Sequence, residues 1–118
     1  MRMIVAVVFA GLALVVVVAA SDLTGTWEVD ASFDDASMAG VGFDCAFKQN
    51  GEQLTGACAD GEAPLTGELR GQTVTWRISA GNPPETTTFT GTVDEAGRSM
   101  KGRFTRVDKG GTFTASKQ

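Results

Sequence analysis

Residues 52–69, EQLTGACADGEAPLTGEL, carry one phrase twice: Leu54-Thr55-Gly56-Ala57-Cys58, then Leu65-Thr66-Gly67-Glu68-Leu69. In each, an apolar residue, a glycine and a second small or apolar residue stand two places apart, with other side chains between them. A period of two is the spacing of a β-strand, so the apolar positions and the glycine share one face. The phrase recurs as Leu23-Thr24-Gly25-Thr26-Trp27, Phe89-Thr90-Gly91-Thr92-Val93 and Met100-Lys101-Gly102-Arg103-Phe104, and fades to Phe113-Thr114-Ala115. Its uneven intervals exclude a solenoid and suit a meander in which each phrase marks one strand.

Two further segments alternate without the glycine, Phe43-Asp44-Cys45-Ala46-Phe47 and Val74-Thr75-Trp76-Arg77-Ile78. The reading is therefore eight strands, over 24–30, 42–49, 53–59, 63–70, 73–79, 86–94, 99–107 and 111–117. Turn chemistry separates them at Asn50-Gly51, Asp60-Gly61, Arg70-Gly71, Gly81-Asn82-Pro83-Pro84, Glu95-Ala96-Gly97 and Lys109-Gly110-Gly111. No window has a helical period. Short antiparallel strands in series, each with one apolar face, form a sandwich or a closed up-and-down barrel. Glycines on the inward face favour the barrel, because a narrow barrel needs sharp bending and close strand approach. The expected fold is all-β, an eight-stranded antiparallel meander β-barrel.

Residues 1–20 differ from the rest: Arg2, then an apolar run to Ala20 with small residues ahead of Ser21. This reads as a signal peptide, with an N-terminal membrane anchor as the alternative. Residues 21–118 then form a single small barrel domain, expected to be secreted or periplasmic. The whole chain has ten Lys and Arg against fourteen Asp and Glu, and removal of Arg2 leaves a net charge of −5. That balance disfavours nucleic acid and anionic membrane, leaving membrane association only to an uncleaved N-terminal segment. The acids crowd the first half and the bases the second, so barrel closure would bring opposite charges to the seam.

Cys45 and Cys58 flank the Asn50-Gly51 hairpin with the same inward parity, which places them opposite one another and predicts a disulfide. Histidine is absent, removing the commonest general base and metal ligand. The acids Asp30, Asp34, Asp35, Asp60 and Glu62 lack the spacing of a strong calcium loop, so no metal or other cofactor is expected. No nucleophile stands in a pattern with a base; no catalytic residue is assigned and the chain is not expected to be an enzyme.

In a meander, the tight turns at Asn50-Gly51, Gly71-Gln72 and Glu95-Ala96-Gly97 collect at one end and the longer loops at the other, which gives the barrel a mouth. Gly25-Thr26-Trp27 at the start of strand one resembles the G-x-W signature of the calycins, the lipocalins and avidins among them; Leu-Thr-Gly-Thr-Trp is especially avidin-like. That resemblance implies a Trp27 plug at the closed end with a basic residue from the chain's end packed over it, here Lys117, where the family usually has arginine. The avidins' buried hydroxyl and amide ligands have no counterpart on the inward face, so biotin is not expected.

The resulting expectation is an exported, non-enzymatic binding protein with a small apolar or amphipathic ligand. The candidate site comprises Trp76, Phe43, Phe89, Phe104 and Arg106, the last either meeting a ligand carboxylate or leaning out to Asp30, Asp44 or Asp108. The alternative is a filled barrel acting through its surface on a protein partner, as a small protease-inhibitor-like module does. A mouth cavity above roughly 300 Å³, the lower range for ligand sites, separates the two.

Overall fold

The structure is a computed structural model, and it describes residues 22–118; the expected signal segment lies outside the described residues. Eight strands follow in order: β1 Gly25–Phe33, β2 Val41–Asn50, β3 Gln53–Cys58, β4 Ala63–Arg70, β5 Thr73–Ala80, β6 Glu85–Val93, β7 Ser99–Arg106 and β8 Lys109–Lys117. Each pairs antiparallel with the next, and β1 pairs with β8 from Trp27↔Lys117 to Phe33↔Gly111, closing the barrel. The sheet has no free edge. Strand one runs three residues further toward the mouth than the sequence reading placed it. Ala31 and Phe33 simply continue the alternation of Trp27 and Val29.

The inward glycines are where neighbouring strands come closest. Gly67 is the register partner of Trp76, and a Cβ there would sit 2.7 Å from the Trp76 Cα. Gly91 and Gly102 are partners of one another, and a Cβ on Gly102 would lie 2.5 Å from the Gly91 Cα. No side chain fits in either place. Aromatic residues also stand opposite inward glycines: Phe47 is the register partner of Gly56, Phe113 of Gly102 and Phe104 of Gly111, where a Cβ would lie 2.8 Å from the Phe104 ring. Bending at glycine thus narrows the barrel until one column of rings can fill it.

That column runs the length of the interior. Trp27 meets Phe47 at 6.0 Å between centroids, and Phe47 meets Trp76 edge-on at 5.2 Å. Trp76 stacks on Phe89 at 4.0 Å with planes 7° apart, and Phe113 closes against both. Such pairs add roughly 0.5–1.5 kcal/mol each beyond the area they bury. Among the described residues no polar or charged residue is buried. The one dissonant atom is Trp76 Nε1, which has no hydrogen-bond partner there, so the indole is held by packing alone.

Cys45 and Cys58 are register partners and form the expected disulfide, with their Cα atoms 3.9 Å apart. The flanking bond from the Ala59 amide to the Asp44 carbonyl, 3.0 Å, marks them as a non-hydrogen-bonded pair, where side chains approach closest. Closing so short a loop stabilises the fold by about 3 kcal/mol. The seam has a different basis from the one the charge asymmetry suggested. Glu28 and Asp30 face Ser116 and Thr114 across β1–β8, not bases, and the crossing ion pair joins Arg103 on β7 to Asp34 beyond β1. Closure therefore rests on the ladder and the core.

The closed end is tied by side chains that reach backbone. Gln49 Oε1 accepts from the Leu23 amide at 2.9 Å, and the Trp27 indole donates to the Leu23 carbonyl at 2.9 Å. Asp94, in the β6–β7 turn, accepts from the Arg98 amide at 2.9 Å and from the Ser99 amide and hydroxyl. The Arg98 amide, above the others, holds the Asp94 carboxyl below the ordinary range, and the Thr24 amide does the same for Asp22.

Two outcomes follow from this packing and these carboxylates. Gly67→Ala and Gly102→Ala are each expected to cost about 1–3 kcal/mol, the range for overpacking, read as a lower urea midpoint. Gly51→Asn, where nothing lies within 4 Å and Asn tolerates the positive φ, is expected to cost far less. A carboxyl whose folded pKa is depressed adds stability above its unfolded value and loses it as pH falls through the folded one. Stability is therefore expected to decline below about pH 4, with Asp94→Asn flattening that decline in thermal melts at stepped pH.

Candidate functional site

Toward the mouth the ring column ends and a hollow begins. The inward positions of β1, β2, β5, β6 and β7 surround a cavity of about 170 Å³. Phe89 and Phe104, both buried, form its base; Phe33, Phe43 and Ile78, half-buried, form its sides. Phe33 sets its edge against Phe104 at 5.2 Å and Phe43 against Phe89 at 6.2 Å, so four phenylalanine rings enclose the space at different tilts.

The rim is polar because the inward parity of β6 and β7 changes character at their mouth ends. Thr87 pairs with Arg106, and Glu85 lies two residues beyond Thr87. Arg106 donates from Nε to Glu85 Oε1 at 3.1 Å, and its Nη2 lies 2.9 Å from the same oxygen. Both side chains are about half exposed. The inward parity expected for Arg106 puts it at the cavity, yet its partner is Glu85 rather than Asp30, Asp44 or Asp108.

The candidate residues from the sequence are distributed unevenly about this cavity. Phe43, Phe89, Phe104 and Arg106 meet there. Trp76 stands one layer deeper, fully buried against the far face of Phe89. Trp27 and Lys117 are register partners at the opposite end, where Lys117 Nζ donates to the Asp22 carbonyl at 2.9 Å. Sequence reasoning omitted Phe33, which fell in an assumed loop, and Glu85, whose parity places it above Thr87 and Phe89. Continuing the alternation of β1 and β6 would have found both.

Outside the rim a second hollow, about 200 Å³, lies between Met38, Val107 and Lys109 and shares Phe33, Glu85 and Arg106 with the first. Another depression, about 350 Å³, lies on the outer wall near the closed end, among Thr92, Ser99, Lys101 and Thr114. It is larger but more open, and the apolar residues that line it, Val93, Met100 and Ala115, are buried in the core beneath exposed polar side chains. The mouth cavity is the better-formed site despite its size. Among the described residues no group of three or more His, Cys, Asp or Glu side chains is placed to hold a metal ion.

Among the described residues the two large apolar side chains most open to solvent, Val41 at 50% and Val107 at 75%, both lie at the mouth. Val107 opens the two-residue β7–β8 turn with φ 54°, where the closed-end turns place Gly51 at 65° and Gly71 at 62°. A β-branched residue in that conformation is strained by roughly 1–3 kcal/mol.

No protein-family model matches the chain, and comparison with curated proteins finds no match. Among solved structures the chain is similar to a redesigned β-barrel, mFAP1, solved bound to DFHBI. The TM-score is 0.59 at 16% identity, over 81% of this chain and 94% of that one. The likeness is one of fold: a closed eight-stranded antiparallel barrel.

The strain at the rim has a measurable consequence. Val107→Gly is expected to stabilise the protein by up to about 1 kcal/mol, after the glycine's greater unfolded-state freedom is set against the relieved strain. A raised thermal midpoint checks it.

Proposed function

We propose that the protein is an exported, non-catalytic binding barrel of calycin-like design that holds a small apolar or amphipathic molecule at its mouth. The observation that supports this is the phenylalanine-walled cavity of about 170 Å³ above an otherwise filled interior. Its size narrows the ligand. At roughly half the lower range for drug-sized sites, it is too small to enclose a fatty-acid chain. An engineered protein cavity of about 150 Å³ with aliphatic and aromatic walls accepts benzene, so a single ring or a compact branched group is the matching scale. The ligand bound in the mFAP1 barrel supports the same architecture as a small-molecule host. Export is supported by the disulfide and by the character of residues 1–20.

A second reading, action on a protein partner, is the one that the roughly 300 Å³ mark favours, since the mouth cavity holds about 170 Å³; the filled core and the exposed Val41 and Val107 at the rim support it as well. In that case the same hollow would receive one apolar side chain of the partner.

The test is a titration of the full chain with one-ring lipophiles such as toluene and indole, and separately with a long-chain fatty acid. Saturable shifts of the Thr87 and Phe104 amides are expected with the former and none with the latter. Absence of any mouth shift with every one-ring compound overturns the small-ligand reading. Native mass spectrometry of protein drawn from its own host separates a small adduct from a protein complex.

A further inference from the structure

The charge around the mouth is one-sided. Six carboxylates stand in or beside its loops, at Asp34, Asp35, Asp60, Glu62, Glu85 and Asp108. Against them are Arg103, Arg106 and Lys109, of which Arg103 pairs with Asp34 and Arg106 with Glu85. Asp35, Asp60, Glu62 and Asp108 have no ion-pair partner among the described residues, and only Lys109 offsets them locally. These groups lie around one opening, on the order of a Debye length across, so their fields add at the cavity entrance. The entrance repels anions and concentrates cations.

We infer that the mouth cavity takes a compact organic cation, such as a quaternary or branched alkylammonium, with its apolar substituents among the phenylalanines and its charge toward the acidic rim. This rests on the small-ligand reading above and gives it a ligand class. Four ring systems are at hand, Phe33, Phe43, Phe89 and Phe104, and an aromatic enclosure attracts a poorly hydrated cation through the negative faces of its rings. A trimethylammonium group is comparable in bulk to benzene and so suits about 170 Å³. Arg106 opposes this only in part, because both its Nε and its Nη2 turn to Glu85 Oε1. That leaves Glu85 Oε2 free of the pair and available to a positive centre. An anionic ligand would have to break the Arg106–Glu85 pair and enter against the rim's field.

The experiment compares three ligands of nearly equal shape on the disulfide-bonded full chain, followed by amide shifts at Thr87, Phe89 and Phe104: choline, its uncharged isostere 3,3-dimethylbutan-1-ol, and 3,3-dimethylbutanoate. Choline is expected to bind at least about fivefold tighter than the alcohol, with the carboxylate weakest, and the choline advantage is expected to shrink in high salt. Glu85→Gln is expected to weaken choline about threefold, and Arg106→Met to strengthen it by a similar factor. The alcohol should be indifferent to both changes. If the alcohol binds as well as choline, the cation inference fails while the apolar pocket stands. If 3,3-dimethylbutanoate binds tightest and Arg106→Met abolishes it, the cation inference is reversed. If none of the three binds while toluene does, the inference likewise fails; if toluene also fails, the pocket reading falls with it.

Discussion

Everything in this barrel depends on how closely adjacent strands approach at the inward glycines. At Gly67 and at the Gly91–Gly102 pair, the place of a missing Cβ is already occupied by the neighbouring backbone. Such approach cannot be compensated by a flexible side chain, because the obstacle is main chain. It sets the barrel's bore, and the bore sets what can fill it. One column of rings, Trp27, Phe47, Trp76 and Phe89, suffices, with Phe113 beside it. A wider bore would leave the column loose, and bulkier inward residues in place of glycine would prevent closure.

This resolves a tension that composition alone leaves open. Inward glycines can signal unfilled space or crowded strands, and six phenylalanines with two tryptophans in residues 21–118 can pack a core or line a pocket. Here crowding absorbs the glycines and the rings fill the interior, and the remaining inner space lies at the mouth. Toward the mouth the inward positions are Phe33, Phe43, Ile78, Thr87 and Arg106; Gly111 draws β8 against Phe33 of β1 and Phe104 of β7, while β2, β5 and β6 carry no inward glycine at this level. Most of the cavity wall thus comes from strand ends that lie outside the repeated phrase, with Phe89 and Phe104 of the phrase at its base.

The strands, their order, the closure and the disulfide were legible in the sequence from alternation, turn residues and parity, but the last turn was misplaced: Lys109-Gly110-Gly111, read as the turn, lies in β8, and the turn falls at Val107-Asp108 because Gly111 is an inward strand glycine. Legibility was poorest at the mouth. Phe33 was hidden in a long acidic segment, although its parity matched that of Val29 and Ala31. The partner of Arg106 depended on strand register, which places Thr87 opposite it and Glu85 within reach; sequence parity alone does not supply that number. Trp76 could be assigned inward but not to a depth, since depth depends on the stagger of β5 against β6. Lys117 reached the expected end, but whether its ammonium met an indole or a carbonyl turned on the local course of residues 22–24.

The two ends of the barrel differ in the way they treat strain and polarity, and the contrast bears on function. At the closed end the tight turns open on Gly51 and Gly71, the carboxylates of Asp22 and Asp94 are satisfied by backbone amides, and Leu23 and Trp27 are fully buried. At the mouth the equivalent turn position is Val107, strained and open to water. Among the described residues Asp35, Asp60, Glu62 and Asp108 stand outside any ion pair with only Lys109 beside them, whereas the closed end mixes Lys48, Arg70, Arg98 and Lys117 with its acids. Stability alone would favour glycine and mixed charge at both ends. Conflicts between local preference and global fold collect where a protein meets something else. Their concentration at one end, around a phenylalanine-walled hollow, is the physical argument behind proposing that end as the working face of the molecule.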